Sequence, residues 1–240
     1  MGLAITVGVL ADLSARDPEG AGWIRDQFSA VNAALAEAGL PQHQEPEDCP
    51  IWSAEGYGYS GLHALREVAG LTWKEDRPSG NPRSDGKTGS AEEELFEESL
   101  PYLLGETKPS LWKRLFGVTS ETAPPPFIHL VAHSDAEGFY IPIEFPIPVS
   151  PETIADETAS IWPLGSVQGL HEELRCLAEV LEIPHDLQSD DPLVETLLED
   201  GGKPDAEAPW QRQLIASHSL LILREACTRS FATGAAIHFG

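Results

Sequence analysis

The spacing of apolar side chains divides the chain into recognisable segments. Leu3 to Leu10 is a nearly continuous apolar run with β-branched residues and predicts a strand covered on both faces. Asp12 to Pro18 reads as a loop. From Glu19 to Ala38 the apolar positions Ile24, Phe28, Val31 and Leu35 step by four, three and four, which draws one stripe on a helix; Gly39 and Pro41 stop it. Residues 41–59 carry no clear period. Ser60 is placed to cap a short helix to Ala69, with Leu62, Leu65 and Ala69 inward and Gly70 at its end. Residues 74–90 hold no apolar side chain and predict a mobile polar loop. Ser90 and Glu93 have capping-box spacing and open a helix carrying Leu95, Phe96, Leu103 and Leu104, with Pro101 set against its second half.

Farther along, Phe127–His133 and Phe139–Phe145 flank the turn-like stretch 134–138, which predicts a β-hairpin; Pro142 puts its second arm at an edge or a bulge. Ser166 caps a helix with Leu170, Leu174, Leu177 and Leu181 inward, and Pro184 ends it. Asp191-Pro192 opens a short helix that Gly201-Gly202 closes. Pro209 begins a long helix whose middle, Leu220–Leu223, is apolar all round and therefore central; Gly234 ends it and Ala235–Phe239 makes a last strand. The expectation is a single α+β domain over residues 1–240. It has a small mixed or antiparallel sheet of about four strands, including the hairpin at 127–145, with helices packed on it.

Composition narrows the class. With 41% hydrophobic residues over 240 positions the chain can bury a core, which excludes a fibrous repeat and a fully disordered chain. No apolar run reaches the length of a membrane span. The opening segment lacks a charged n-region, so the expectation is a cytoplasmic protein that does not engage a membrane. Cys49, Cys176 and Cys227 are odd in number and far apart, without metal-ligand spacing. The six tryptophans read as mostly core or groove-lining.

Charge changes the picture most. The chain has 39 acidic and 15 basic residues, a net charge of -24, and the excess is uneven. Between Leu115 and Gly202, seventeen Asp and Glu face a single basic residue, Arg175. This argues against direct contact with a nucleic-acid backbone, which needs clustered Lys and Arg. It suits generic solubility, a high-salt cytoplasm, or a surface complementary to a basic partner.

Candidate chemistry gathers in two places. On a hairpin, His133, Ser134, Asp135, Glu137 and Tyr140 would meet near the tip, with Glu144 on the same face as Tyr140. If a divalent metal binds anywhere, His133, Asp135 and Glu137 are its ligands; no other cofactor is expected. The bland alternative is a turn in which Ser134 and Asp135 bond local backbone and Gly138 supplies a positive φ. The second place is Tyr59 and His63, one helical turn apart. Neither Ser60 nor Ser134 lies in a nucleophile elbow.

Three stretches carry a resemblance: Tyr59-Ser60-Gly61-Leu62-His63-Ala64-Leu65-Arg66, His133-Ser134-Asp135-Ala136-Glu137-Gly138-Phe139-Tyr140-Ile141-Pro142, and Thr233-Gly234-Ala235-Ala236-Ile237. Together they resemble a bacterial family of unassigned activity. The middle one, an H-S-D-x-x-G-aromatic-aromatic-x-P pattern, is similar to a loop in immunity-type proteins of bacterial toxin systems. The resemblance implies an accessory or immunity-type protein and transfers no catalytic residue. The leading expectation is therefore a non-enzymatic binding protein of immunity or antitoxin type, engaging a basic protein through its acidic surface. Neutralising Glu137, Glu144, Asp156 and Glu157 should then slow association. Two alternatives stand beside it: a metal-dependent or acid–base enzyme centred on His133 and Asp135, and a structural or regulatory domain of a larger assembly with an apolar patch near Trp52 or Trp112.

Overall fold

The computed structural model describes residues 3–56, 59–76, 90–105, 123–150, 163–203 and 205–240. Within them β1 (Leu3–Val7), β2 (Trp52–Gly56), β3 (Gly138–Ile141), β4 (Gly165–Ser166) and β5 (Ile237–Phe239) form one open sheet in the order β2-β1-β5-β3-β4. Every adjacent pair is antiparallel except β3 and β4, so the sheet is mixed. The helices are α1 (Val9–Arg16), α2 (Pro18–Glu37), α3 (Tyr59–Asp76), α4 (Ala91–Leu103), α5 (Ile128–Ala132), α6 (Val167–Val180), α7 (Pro192–Glu199), α8 (Pro209–Arg212) and α9 (Leu214–Thr233).

Helices cover both faces of the sheet, and β3 shows how. Its side chains alternate: Tyr140 joins the apolar cluster built with α3, α6 and α9, while Phe139 and Ile141 join the cluster built with α2. Leu3, Ile5 and Val7 of β1 face the first cluster. Helix α9 is central, and Leu220–Leu223 are all buried, as their apolar run requires. The capping box of Ser90 and Glu93 and the Ser166 cap both form. None of the described helices is long and apolar enough to cross a membrane.

Several expectations are corrected. The α+β class holds, but the sheet has five described strands rather than about four. The strand predicted to Leu10 ends at Val7, because Gly8 adopts φ 83° and turns the chain directly into α1. The unread strand β2 lies at the sheet edge; Trp52, Ala54 and Gly56 are half-buried and alternate with exposed Ser53 and Glu55. Gly70 does not stop α3, which runs on to Asp76. A Cβ there would run into the Ala91 carbonyl, so this glycine permits the close approach of α4. Residues 74–76 belong to α3, Ser90 caps α4, and 77–89 lie outside the described residues. The helix begun by Pro209 breaks at Gln213 into α8 and α9. Among the tryptophans, Trp73 and Trp210 are buried, Trp23 is exposed, Trp52 is half-buried and donates to Glu225 at 3.1 Å, and Trp112 and Trp162 lie outside the described residues.

The hairpin at 127–145 is the largest correction: only its second arm is a strand, and Ile128–Ala132 is the helix α5. A helix this short cannot stand on its own propagation. Its ends are completed by side chains from elsewhere. At the N-terminus the Glu173 carboxylate of α6 accepts from the His129 and Leu130 amides, both at 2.8 Å. At the C-terminal end the Arg66 guanidinium of α3 donates to the Leu130 carbonyl at 2.9 Å and the His133 carbonyl at 2.7 Å. Acceptor oxygens on the free amides and a cation on the free carbonyls satisfy the groups that helix ends leave open. Phe127, at φ 65°, bends the chain into this turn.

Candidate functional site

The two places singled out by sequence meet. His63 on α3 faces Asp135, in the loop after α5, with Nε2 to Oδ2 at 3.3 Å, and its Nδ1 lies 2.8 Å from the Glu92 carboxylate of α4. Beneath them Arg66, only 4% exposed, binds Asp135 and lies 3.7 Å from Glu92. Glu67 accepts the Glu92 amide at 3.0 Å. Both ring nitrogens of His63 face carboxylates. The cluster ties α3, α4 and the 133–137 loop to one another.

His133 points away from this cluster. Its imidazole is buried, stacks on Tyr140 with ring centroids 4.1 Å apart, and meets the edge of Phe239 at 4.7 Å. Nδ1 donates to the Ser134 carbonyl at 2.9 Å, and Nε2 is buried with no hydrogen-bond partner among the described residues. Burial holds the ring's pKa at about 4, so it is neutral at physiological pH. Tyr140 donates its hydroxyl to the His129 carbonyl at 3.0 Å, and burial pushes its pKa well above the ordinary value. The Ser134 hydroxyl accepts from the Ala136 amide at 3.3 Å, the local bonding of a turn.

For a metal, His133, Asp135 and Glu137 would have to converge. Instead His133 sits in the aromatic stack, Asp135 faces Arg66 and His63, and Glu137 is half-buried. Among the described residues no group of three or more His, Cys, Asp or Glu is placed to hold a metal ion. Glu144 is exposed. Tyr59 opens α3, but its side chain lies outside the described residues, as do Asp156 and Glu157.

Arg66, Glu92 and Glu173 carry weight that the sequence reading did not assign them. A signal existed for two of them. Arg66 lies four after Leu62 and three before Ala69, and Glu173 lies three after Leu170 and four before Leu177. Charged side chains at those positions sit on the inner edge of an apolar stripe. Burial pushes the Glu173 carboxyl up to about 8, against two amide hydrogen bonds that favour its ionised form. His129 uses both ring nitrogens as a neutral imidazole. Nδ1 accepts from the Ser166 amide and Nε2 donates to the Phe145 carbonyl, each at 3.1 Å.

A different arrangement occupies the last turn of α6 through the end of α7. Glu179, Glu182, Asp186, Asp190, Asp191, Glu195, Glu199 and Asp200 follow one another with no Lys or Arg between Arg175 and Lys203. All are exposed except Asp191, which is half-buried and caps α7 by accepting from the Leu193 amide. Arg175 pairs with Glu172 and Glu179, at 3.0 and 2.7 Å. The other seven form no ion pair among the described residues.

Several of these acids stand where local physics disfavours them. Glu182 holds φ 54°, a left-handed conformation that glycine adopts without penalty, and its successor closes the helix end by donating from the Ile183 amide to the Ala178 carbonyl at 2.9 Å. Glu179, Glu199 and Asp200 lie at helix C-termini, the negative end of the dipole, and neither α6 nor α7 has a basic residue in its last turn. Glu195 and Glu199 are like charges one turn apart.

Beside α6 lies an apolar groove of about 970 Å³, formed with α5, residues 124–126 and 144–146, and the end of α9. A family model described as "Putative DNA-mimic protein" matches residues 1–239. No curated protein and no solved structure matches. The match supports nothing specific to immunity-type proteins. It also corrects the expectation that set nucleic acid aside for a generic basic partner, because the family's description is of a DNA mimic.

Proposed function

We propose, because the chain belongs to this DNA-mimic family, that it is a binding protein whose acidic surface occupies the DNA-binding face of a protein partner in the cytoplasm. The observation that carries the reading is the carboxylate stretch from Glu179 to Asp200. A DNA-binding face is built to neutralise dense negative charge and gains affinity by displacing counterions. A run of eight acids without an intervening cation offers that charge on a protein scaffold. Solubility alone would be served by acids at indifferent positions. Here Glu182 sits in a left-handed conformation and acids sit at the wrong ends of two helices, so stability is spent where charge is placed.

The test is capture of partners from nuclease-treated host lysate on the immobilised protein, followed by competition. The expected result is that captured proteins bind duplex DNA, that duplex DNA releases them, and that release steepens with salt. Partners that do not bind DNA, or that duplex DNA fails to displace, would overturn the reading.

A further inference from the structure

The groove beside α6 has features that a duplex lacks. Pro124, Phe145, Pro146 and Phe231 give it apolar walls. Phe231 stands 45% exposed and is steadied by the edge of His171, with ring centroids 5.4 Å apart at 81°. The volume of about 970 Å³ leaves room for a large side chain and part of its backbone. Its rim is acidic. Glu144 is exposed on one side, and on the other the exposed Glu172 lies beside Arg175, whose charge is already shared between Glu172 and Glu179.

We propose that this groove seats an aromatic or leucine side chain of the partner, flanked in the partner's sequence by Lys or Arg residues that reach Glu144 and Glu172. The class of partner rests on the DNA-mimic reading; the groove's occupant rests on its own walls and rim. A protein that competes with DNA for one face gains an advantage only by offering what DNA does not. Phosphates and base edges supply charge and hydrogen bonds, and their affinity collapses with salt. Burial of an apolar anchor adds attraction that salt does not screen, and it discriminates among partners that share a basic surface. The acidic rim selects an anchor embedded in basic sequence over an apolar segment of neutral or acidic flank.

Two synthetic peptides of equal charge test this, Lys-Arg-Leu-Phe-Lys-Arg and Lys-Arg-Gly-Ser-Lys-Arg, titrated against the full chain by fluorescence anisotropy at low and high salt. The anchored peptide should bind about tenfold tighter or better, and the ratio should persist at high salt while both affinities fall. Phe231→Ala, at an exposed position that leaves the core intact, should bring the ratio close to one without altering binding of the anchor-free peptide. Glu144→Gln with Glu172→Gln should weaken both peptides alike. Equal affinity of the two peptides for the native chain, or a ratio unmoved by Phe231→Ala, would overturn the groove proposal while leaving acidic mimicry standing. Loss of salt-dependent binding to the anchor-free peptide would instead strike the mimicry reading.

Discussion

Two acid-rich regions of this protein put their carboxylates to opposite use. Around α5 each charge serves an internal partner: Asp135 and Glu92 flank His63 and Arg66, and Glu173 completes the helix's free amides. From Glu182 to Asp200 the carboxylates, the capping Asp191 apart, meet solvent, with no cation among the described residues paired to them. The first region builds the fold and the second presents a surface. A count of charges along the chain does not separate them; the position of each acid relative to an apolar stripe does.

If the interior polar groups hold the fold, acid should undo it through imidazoles, and this is the largest effect expected. His129, His133 and His238 are each held at about 4 by burial, against about 6.5 in an unfolded chain. The unfolded state therefore takes up their protons first, and the stability present above pH 6.5 is lost as pH falls toward 4. Glu173, raised to about 8, runs the other way: its folded form keeps a proton between 4.5 and 8, so its contribution is present below 4.5 and lost as pH rises through 8. Three imidazoles against one carboxyl leave a net loss of roughly 2.7 kcal/mol per pH unit where all titrate. Urea denaturation across pH 6.5 to 4.5, the window in which the imidazoles outweigh Glu173, should show a midpoint that falls with pH, and His133→Phe should make the fall shallower. A flat profile would break the assignment of this region to the fold.

Next in size is Arg66→Met. It strips the Leu130 and His133 carbonyls of a donor and leaves Asp135 without its cation. The expected loss is about 3–5 kcal/mol, as for breaking a buried pair from one side. Arg66→Lys should recover only part, because an ammonium restores charge without the fork that serves two carbonyls and a carboxylate together. Equilibrium unfolding in urea measures both. A neutral Arg66→Met would mean that α5 needs no cation at its C-terminal end.

The other side of the comparison should respond in reverse. Asp186→Asn, Asp190→Asn, Glu195→Gln and Glu199→Gln together remove four exposed charges, each with a stability change within about 0.5 kcal/mol. Association with a partner at low salt should slow by about tenfold or more, and the salt dependence should flatten. Rapid-mixing kinetics at two ionic strengths decides this. Unchanged association would show that these acids are solvated charge and nothing further.

Sequence pattern served well where structure is set by near neighbours. The Leu170, Leu174, Leu177 and Leu181 stripe with its Ser166 cap, the Ser90–Glu93 capping box and the Asp191-Pro192 start all rest on contacts within one or two turns. It failed where distant groups decide. Phe127–His133 has the composition of a strand, yet Glu173 and Arg66, 44 and 64 positions away from the residues they bond, make it a helix. Gly70 has the look of a helix stop, and only the approach of Ala91 explains it. Of the candidate site, residue type and spacing point to His63 and Asp135 separately, but not to their meeting or to Arg66, which binds Asp135 beneath them. Ser134 makes the local bond that the turn reading expects.

The smallest effect separates the two regions most cleanly. Glu182 follows the last turn of α6 in a left-handed conformation that disfavours any side chain by about 1 kcal/mol relative to glycine. Glu182→Gly should therefore raise stability by up to about 1 kcal/mol, less what the freer unfolded chain gives back, visible as a higher urea midpoint at unchanged slope. The same substitution removes one carboxylate from the exposed stretch and should modestly slow association with the partner. A gain in stability paired with a loss in binding is the signature of a residue kept for its charge. If Glu182→Gly stabilises the chain and leaves association untouched, while the quadruple neutralisation slows it, the contacting surface lies on the α7 side of the stretch. If stability does not rise, the left-handed position is held for a packing reason, and Glu182 is not kept there at a cost for its charge.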